Sequence, residues 1–296
     1  MVDGATLERL CGRKSTGGSN PPLSAIVFMN TTSTLFFTPQ IHHTLWGYES
    51  WVLSAHQAGE SIVRNLPLAG KKVSEIIPDF PLLFKMIDAK QRLSVQVHPN
   101  ESTCLLTGGA PKTEMWCVIS GGPIFAGLKP GADSDAVAAA AADGSFEELL
   151  VRHDSKPGDV FYIPGGLVHA IGEGVKLFEV QQSSDTTFRL YDWNRKDENG
   201  RGRKLHIGEA MKATDLSLPV PAAAKSLDTP FFRFSQCRLD GQKSLSARDG
   251  FLAVFNAEGE LDIDGVPLPC GEIALLTPGS EASLVGRGSW VMTTGF

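Results

Sequence analysis

Cysteine is scarce and scattered in this sequence. The 296 residues include five cysteines, which are Cys11, Cys104, Cys117, Cys237 and Cys270. Their number is odd, and no pair has the C-x-x-C spacing that is typical of zinc ribbons and redox motifs. A disulfide framework is therefore not indicated, and we expect the protein to work in a reduced, cytoplasmic compartment.

Long apolar runs and an excess of positive charge are also missing. No stretch approaches the ~20 consecutive apolar residues that a membrane-spanning helix needs. Lysine and arginine total 27 against 33 for aspartate and glutamate, so the formal net charge is −6. This balance gives no overall basic surface, and we expect neither a nucleic acid nor a membrane as partner.

Short β-like runs separated by Gly, Pro and Asn turns dominate the chain from about residue 33 onward. The predicted strands cover residues 34–37, 50–54, 93–98, 115–119, 160–163, 177–182, 188–191, 231–238, 251–255, 259–263, 273–276 and 290–293. Strands of this length and spacing predict an all-β sandwich or barrel. Helices are predicted at residues 133–142, 145–152 and 207–212.

Three short motifs combine residue types that ligate metals. Residues two apart on a strand point to the same face, so Gln96 and His98 share a face of the predicted strand 93–98. Glu114 opens the next apolar run, and His169 follows a Pro-Gly-Gly turn. Two imidazoles, a carboxylate and an amide oxygen suit one zinc ion, and manganese, iron or cobalt would also fit. For Gln96, a hydrogen bond to a ligand is the alternative.

The spacing of these motifs resembles the cupin pattern in altered form. Cupins carry H-x-H, then Glu followed by six residues and Gly, then G-x5-P-x-G-x2-H. The second motif runs here from Glu114 to Gly121, and the third from Gly158 to His169. Gln96 stands where cupins have the first histidine.

With Gln96 in this position, the sequence resembles type I phosphomannose isomerases in their short bacterial form. The matching runs cover residues 83–89, 93–100, 112–116, 157–170 and 179–193. The resemblance is strong over roughly residues 35–215 and looser over 226–296. One departure is the run from Trp46 to Trp51, where many short members have an additional loop.

The resemblance implies a fold and an activity. The fold would be all-β dominated: a double-stranded β-helix of the cupin or jelly-roll type, with a small helical excursion and a degenerate second cupin barrel. The activity would be zinc-dependent aldose–ketose isomerisation between D-mannose 6-phosphate and D-fructose 6-phosphate through a cis-enediol. The partner would be this small sugar phosphate, and the protein would be a monomer or a homodimer.

The resemblance also assigns roles to individual residues. The implied ligands of one zinc ion are Gln96, His98, Glu114 and His169. The implied catalytic residues are Arg189, Glu179 and Lys112, and the implied phosphate-binding residues are Ser94 and Lys85. Because Lys85 lies in an apolar run, a structural ion pair with Asp88 or Glu179 is an equally good interpretation of it.

The same reasoning divides the chain into parts. The predicted division is a disordered extension at residues 1–28, a catalytic cupin domain at 29–215 with a small helical segment at about 133–152, a linker at 216–225 and a degenerate, metal-free cupin domain at 226–296. The last part repeats the pattern of residues 158–165 at 271–279. No histidine follows His206, so we expect the last part to bind no metal.

Two other classes of function remain open from the sequence. Another metal-dependent cupin enzyme, such as a glucose-6-phosphate isomerase or an oxygenase, would use similar motifs, although Gln96 and the segment around Arg189 argue against it. A non-catalytic sugar-phosphate-binding module is the second alternative. Loss of a ligand or of Arg189 would favour such a module, and neither is lost.

Overall fold

The structure is a computed structural model that describes residues 33–196, 198–248 and 250–296. The predicted extension at residues 1–28 lies outside the described residues. Strands make up most of the regular structure, and the helices are few and short, which confirms the expected all-β dominated fold. Within the described ranges, the helices are too short or too polar to cross a membrane.

Nineteen strands can be traced in the described residues. The first thirteen are β1 (Thr34–Thr38), β2 (Gln40–Thr44), β3 (Gly47–Ser54), β4 (Ile62–Val63), β5 (Leu82–Ala89), β6 (Val95–Val97), β7 (Glu114–Ser120), β8 (Gly122–Leu128), β9 (Leu150–Ser155), β10 (Val160–Ile163), β11 (His169–Ile171), β12 (Lys176–Gln182) and β13 (Phe188–Tyr191). The remaining six are β14 (Ser226–Asp228), β15 (Arg233–Ser246), β16 (Leu252–Ile263), β17 (Val266–Leu268), β18 (Ile273–Leu276) and β19 (Glu281–Thr294).

Two antiparallel sheets pack face to face in the first part of the chain. One has the strand order β10-β7-β12-β5-β3-β2, and the other has the order β13-β6-β11-β8-β9. A buried apolar layer joins them, with Val118 and Leu177 from the first sheet and Ile124 and Ile171 from the second. Because side chains alternate along each strand, every second residue points into the space between the sheets.

The C-terminal strands form a third sheet, with the order β14-β15-β19-β16-β18-β1-β4 and β17 beside β16. Strand β1 pairs with β18, although the two strands lie at opposite ends of the chain. Phe178 of β12 stacks on Phe255 of β16, with 4.0 Å between the ring centroids. The division into domains stays a prediction, and the hydrogen bonding of β1 and a shared apolar core both cross it.

The helices are α1 (Val73–Ile76), α2 (Cys104–Thr107), α3 (Ser134–Asp143), a 3-10 turn (Phe146–Leu149) and α4 (Ile207–Ala213). Asp133 caps α3 by accepting a hydrogen bond from Ala136 N at 2.8 Å, and the predictions of α3 and α4 are confirmed. The helix predicted at residues 145–152 is wrong. After the 3-10 turn the chain continues as β9, which pairs with β8. Buried and exposed residues alternate with period two along β9, as is typical of a strand and not of a helix.

Removing side-chain volume from the shared core tests this packing. Leu275 is fully buried, and we expect Leu275→Ala to lower the free energy of unfolding by about 2–5 kcal/mol, through lost burial and the cavity that remains. Leu45 is 67% exposed, so Leu45→Ala should change the free energy of unfolding by less than about 0.5 kcal/mol. Urea unfolding of both variants measures the difference, and equal effects would contradict the assignment of the core.

Candidate active site

The two predicted histidine ligands are both buried, and each is fixed by a backbone carbonyl. His98 Nδ1 lies 2.8 Å from Thr186 O, and His169 Nδ1 lies 2.8 Å from Leu167 O. A carbonyl oxygen only accepts, so each Nδ1 carries the proton and each Nε2 offers a lone pair. This is the arrangement that orients a metal-ligating histidine.

Glu114 lies between the two Nε2 atoms. Its Oε2 is 3.4 Å from His98 Nε2, and its Oε1 is 3.5 Å from His169 Nε2. One potential ligand atom from each residue falls within 4.8 Å of the others, as donors about 2 Å from a common ion would. Glu114 Oε1 has no hydrogen-bond partner among the described residues, and neither Nε2 lone pair can donate to it. A buried carboxylate oxygen in this state is stabilised by a cation.

Gln96 joins this group through strand pairing. The pairing of β6 with β11 sets Gln96 opposite His169, and Gln96 Nε2 lies 3.3 Å from His169 Nε2. Its Oε1 accepts a hydrogen bond from Ser94 Oγ at 3.3 Å. Rotation of the amide by half a turn would bring the oxygen to the imidazole and leave Ser94 Oγ as an acceptor for the amide nitrogen. Gln96 is thus placed to ligate through oxygen or to hydrogen-bond a ligand.

The turn before β11 sets the position of His169, and it requires glycine twice. Gly166 has a φ of 99°, a backbone conformation that side chains with a Cβ atom rarely adopt. At Gly165, an added Cβ would lie 2.6 Å from Pro99 O. Gly166 N also donates a hydrogen bond to His98 O at 2.8 Å. The turn therefore ties the segments that carry the two histidines to each other.

Lys112 supplies positive charge beside this group. Its Nζ lies 2.7 Å from Glu114 Oε2 and 3.0 Å from His98 Nε2. Burial and the Lys112 ammonium lower the pKa of His98 to about 3, and burial also lowers the pKa of His169. Although burial opposes ionisation, the Lys112 ammonium holds the pKa of Glu114 well below its usual value. At neutral pH the group is a carboxylate with two neutral imidazoles, which are the protonation states that metal binding requires.

A second buried cluster places Lys85 between two carboxylates. Lys85 Nζ lies 3.3 Å from Glu49 Oε2 and 3.3 Å from Glu179 Oε1. Trp51 Nε1 donates to Glu49 Oε2 at 2.7 Å, and Trp116 Nε1 donates to Glu179 Oε2 at 3.0 Å. Cross-strand register explains this arrangement, because Trp116, Glu179, Lys85 and Trp51 are successive neighbours across β7, β12, β5 and β3.

Burial opposes the charge of both Lys85 and Glu179, and the neighbouring charges decide the pKa of each. Although burial opposes its charge, the carboxylates of Glu49 and Glu179 raise the pKa of Lys85. Burial and the nearby charge of Glu114 raise the pKa of Glu179, and the neighbouring lysines offset this only in part. Lys85 is therefore a permanent cation, whereas Glu179 is a carboxyl group that can hold a proton at higher pH than an ordinary glutamate.

Arg189 lies on β13 of the five-stranded sheet, and Ser94 directly precedes β6 of the same sheet. Arg189 pairs with Gln96 in the register of β13 and β6. Its Nε donates to Ser94 Oγ at 3.3 Å, and its NH1 donates to Lys204 O at 2.9 Å. A series of contacts thus runs from Arg189 through Ser94 and Gln96 to His169.

The structure joins the sequence-predicted site residues by contacts in two groups, one that surrounds Glu114 and extends through Gln96 and Ser94 to Arg189, and one that pairs Lys85 with Glu179. Lys85 contacts Glu179 and Glu49 but not Asp88, which pairs with lysines at the surface. Glu49 is the residue that sequence reasoning missed. The strand predicted at residues 50–54 begins one residue too late to include it, whereas β3 begins at Gly47 and thereby places Glu49 and Trp51, two residues apart, on one face.

Comparison with known proteins decides the family. The catalytic domain of type I phosphomannose isomerase matches residues 18–114. The mannose-6-phosphate isomerase ManA of Bacillus subtilis is 34% identical, with coverage of 78% of this chain and 87% of the relative. The chain belongs to the type I phosphomannose isomerases.

Two further relatives agree with this assignment. The mannose-6-phosphate isomerase of Streptococcus mutans is 34% identical over 76% of this chain and 85% of the relative. The crystal structure of the mannose 6-phosphate isomerase from Bacillus subtilis superposes with a TM-score of 0.80 at 26% identity, and it covers 89% of this chain and 100% of that chain. The family expected from the sequence is therefore confirmed, and so is its fold.

The crowded turn before β11 offers a test of the site that does not depend on activity. Gly165→Ala would push the turn away from Pro99 and displace His169, so we expect affinity for a divalent ion to fall by about 10–100-fold. Gly208→Ala is the matched control, because an added Cβ there meets no atom within 4 Å. Competition with a chromogenic chelator measures both affinities, and an unchanged affinity in Gly165→Ala would rule out this role of the turn.

Proposed function

We propose that this type I phosphomannose isomerase is a zinc-dependent enzyme that interconverts D-mannose 6-phosphate and D-fructose 6-phosphate through a cis-enediol. The names of its relatives support the reaction. The observation that carries the proposal is the buried group of His98, Glu114 and His169, whose potential ligand atoms all lie within 4.8 Å of one another. A cytoplasmic location and a monomer or homodimer stay predictions from the sequence.

The donor set fits a divalent ion on its own chemistry. Glu114 is ionised, its Oε2 is paired with Lys112, its Oε1 has no hydrogen-bond partner among the described residues, and both imidazoles present Nε2 towards it. Two nitrogens with a carboxylate suit zinc, and Gln96 can add an amide oxygen. Because Nε2 has a single lone pair, Lys112 must turn away from His98 when this nitrogen ligates a metal. When bound, zinc would supply a Lewis acid for the C1 and C2 oxygens of the sugar.

The isomerisation moves one proton between carbon atoms and another between oxygen atoms. Towards fructose 6-phosphate, the C2 proton leaves and O1 gains a proton; O2 then loses its proton and C1 receives one. We assign the carbon-bound proton to Glu179 Oε1, because Oε2 accepts the Trp116 indole N–H whereas Oε1 has only the 3.3 Å ion pair with Lys85. The raised pKa of Glu179 suits a carboxyl that takes up and returns a proton. We assign the protons on O1 and O2 to Lys112.

The remaining residues bind charge. The phosphate carries nearly two negative charges at pH 7 and needs hydroxyl and cationic donors, and Ser94 keeps its predicted role there. The two carboxylates at 3.3 Å already balance the charge of Lys85, so we favour the ion-pair alternative, in which Lys85 orients Glu179. Arg189 donates to a hydroxyl and a carbonyl, which leaves its positive charge for the developing enediolate.

Removal and return of the metal test the proposed function. The rate of fructose 6-phosphate formation from mannose 6-phosphate is measured on purified protein, after chelation and after zinc is restored, with bound metal counted by mass spectrometry. We expect about one ion per chain and activity that disappears and returns with it. A folded protein with one bound ion and no turnover would contradict the proposal. Turnover of glucose 6-phosphate alone would indicate another isomerase, and binding without turnover would indicate a sugar-phosphate-binding module.

Glu179→Gln separates proton transfer from metal binding. The amide cannot act as a base, so we expect kcat to fall by about 100–10,000-fold while the zinc content stays at that of the unsubstituted protein. Exchange of the C2 proton with deuterated solvent should fall with kcat. Glu148→Gln on the surface is the control and should keep full activity. Retained C2 exchange in Glu179→Gln would assign the base to another residue.

A further inference from the structure

Asp192 is a buried carboxylate that the proposed mechanism does not use. It is 6% exposed and follows directly after β13, three residues beyond Arg189. Arg203 binds both of its oxygens, with Nε 2.7 Å from Oδ2 and NH2 in contact with Oδ1. Arg195 NH2 also donates to Oδ1. Two guanidinium groups therefore share one carboxylate, in a charge-assisted arrangement that is geometrically specific.

The arginine contacts fasten the loop after β13 to the segment before β6. Arg195 NH1 donates to Arg92 O at 2.7 Å, and Trp193 Nε1 donates to Leu93 O. The guanidinium of Arg92 stacks over the Trp193 ring, 4.6 Å from its centroid. The segment that these contacts hold, residues 92–93, leads directly into Ser94. The position of Ser94 is thus coupled to the position of the loop after β13.

Within the described residues, the Arg189 guanidinium donates two hydrogen bonds, one to each of the two segments that the Asp192 cluster holds together. Arg189 Nε donates to Ser94 Oγ at 3.3 Å, on the segment before β6. Arg189 NH1 donates to Lys204 O at 2.9 Å, and Lys204 directly follows Arg203 on the loop. A shift of either segment would therefore move one of the two acceptors of Arg189.

We infer that Asp192 is a positioning residue for Arg189, and that it acts through Arg195 and Arg203. Without its carboxylate, three guanidinium groups would face one another unbalanced, and the loop would lose its bidentate contact. Arg189 would then leave Ser94. The kinetic consequence of this inference rests on the proposed function, because Arg189 is a catalytic residue only in that reaction.

The charges of the cluster support the inference. Burial and the neighbouring Arg203 lower the pKa of Arg189, and Asp192 acts in the opposite direction. Although burial opposes its ionisation, Arg203 and Arg195 lower the pKa of Asp192. Asp192 is therefore negatively charged at neutral pH, and it offsets the repulsion that the two flanking arginines exert on Arg189.

The position of Arg189 can be measured without any activity. In a nitrogen-15 spectrum, the Arg189 Nε–H signal is assigned by its loss in Arg189→Lys. We expect Asp192→Asn to increase its exchange rate with water at least about tenfold, because the bond to Ser94 is lost. The matched control is Glu272→Gln, which breaks the ion pair of Glu272 Oε2 with Arg64 NH1 at 2.6 Å in the C-terminal part. An unchanged exchange rate in Asp192→Asn would overturn the inference.

A double-substitution cycle tests whether Asp192 acts through Arg189. We expect Asp192→Asn to lower kcat for mannose 6-phosphate by about 10–100-fold with full zinc content. In the Arg189→Lys background, Asp192→Asn should lower kcat by less than about twofold. Glu272→Gln should leave kcat unchanged in both backgrounds.

The outcomes separate this inference from the proposed function. Equal losses of kcat in both backgrounds would show that Asp192 acts independently of Arg189 and would overturn the inference. Partial recovery of kcat in Asp192→Glu, which keeps the charge, would support it. If the unsubstituted protein does not turn over mannose 6-phosphate, the proposed function fails, and the exchange rate of Arg189 Nε–H still decides whether Asp192 positions that side chain.

Discussion

The structure depends on keeping one carboxylate ionised inside the protein. Glu114 is about as buried as a residue can be, and an uncompensated charge in that position would cost several kcal/mol. Lys112 and two imidazoles surround it, and backbone carbonyls hold each imidazole in the neutral form that presents Nε2 to the carboxylate. The glycine turn before β11 and the pairing of β6 with β11 are needed to keep this geometry. A small displacement of either histidine would move its Nε2 lone pair away from Glu114.

Cross-strand register extends this site into a row of paired functional groups. Glu114 and Trp116 share a face of β7, and β12 sets Gln181 and Glu179 opposite them. The pKa values of the two buried glutamates are shifted in opposite directions, since Lys112 lowers that of Glu114 whereas burial and the charge of Glu114 raise that of Glu179. One fold thereby provides both a metal-ligating carboxylate and a carboxyl that can carry a proton.

Much of the site could be predicted from the sequence because its signals are local. The i, i+2 spacing of Gln96 and His98 and the Pro-Gly-Gly turn before His169 follow from strand and turn geometry. The contacts between strands could not be predicted in this way. Lys85 meets Glu49 through the register of β3 and β5, and no local pattern fixes that register. The wrong helix at residues 145–152 has the same origin, because pairing with β8 outweighs the helical propensity of the segment.

The most direct measurement is an anomalous-scattering crystal structure of the zinc-loaded protein. We expect one ion within about 2.0–2.3 Å of His98 Nε2, His169 Nε2 and a Glu114 oxygen, with Lys112 Nζ moved away from His98. Gln96 Oε1 would be the fourth protein ligand or would hydrogen-bond to one of the others. An ion bound elsewhere, or Lys112 still at His98 Nε2 with zinc in excess, would contradict the central claim that Glu114 is kept ionised for a metal.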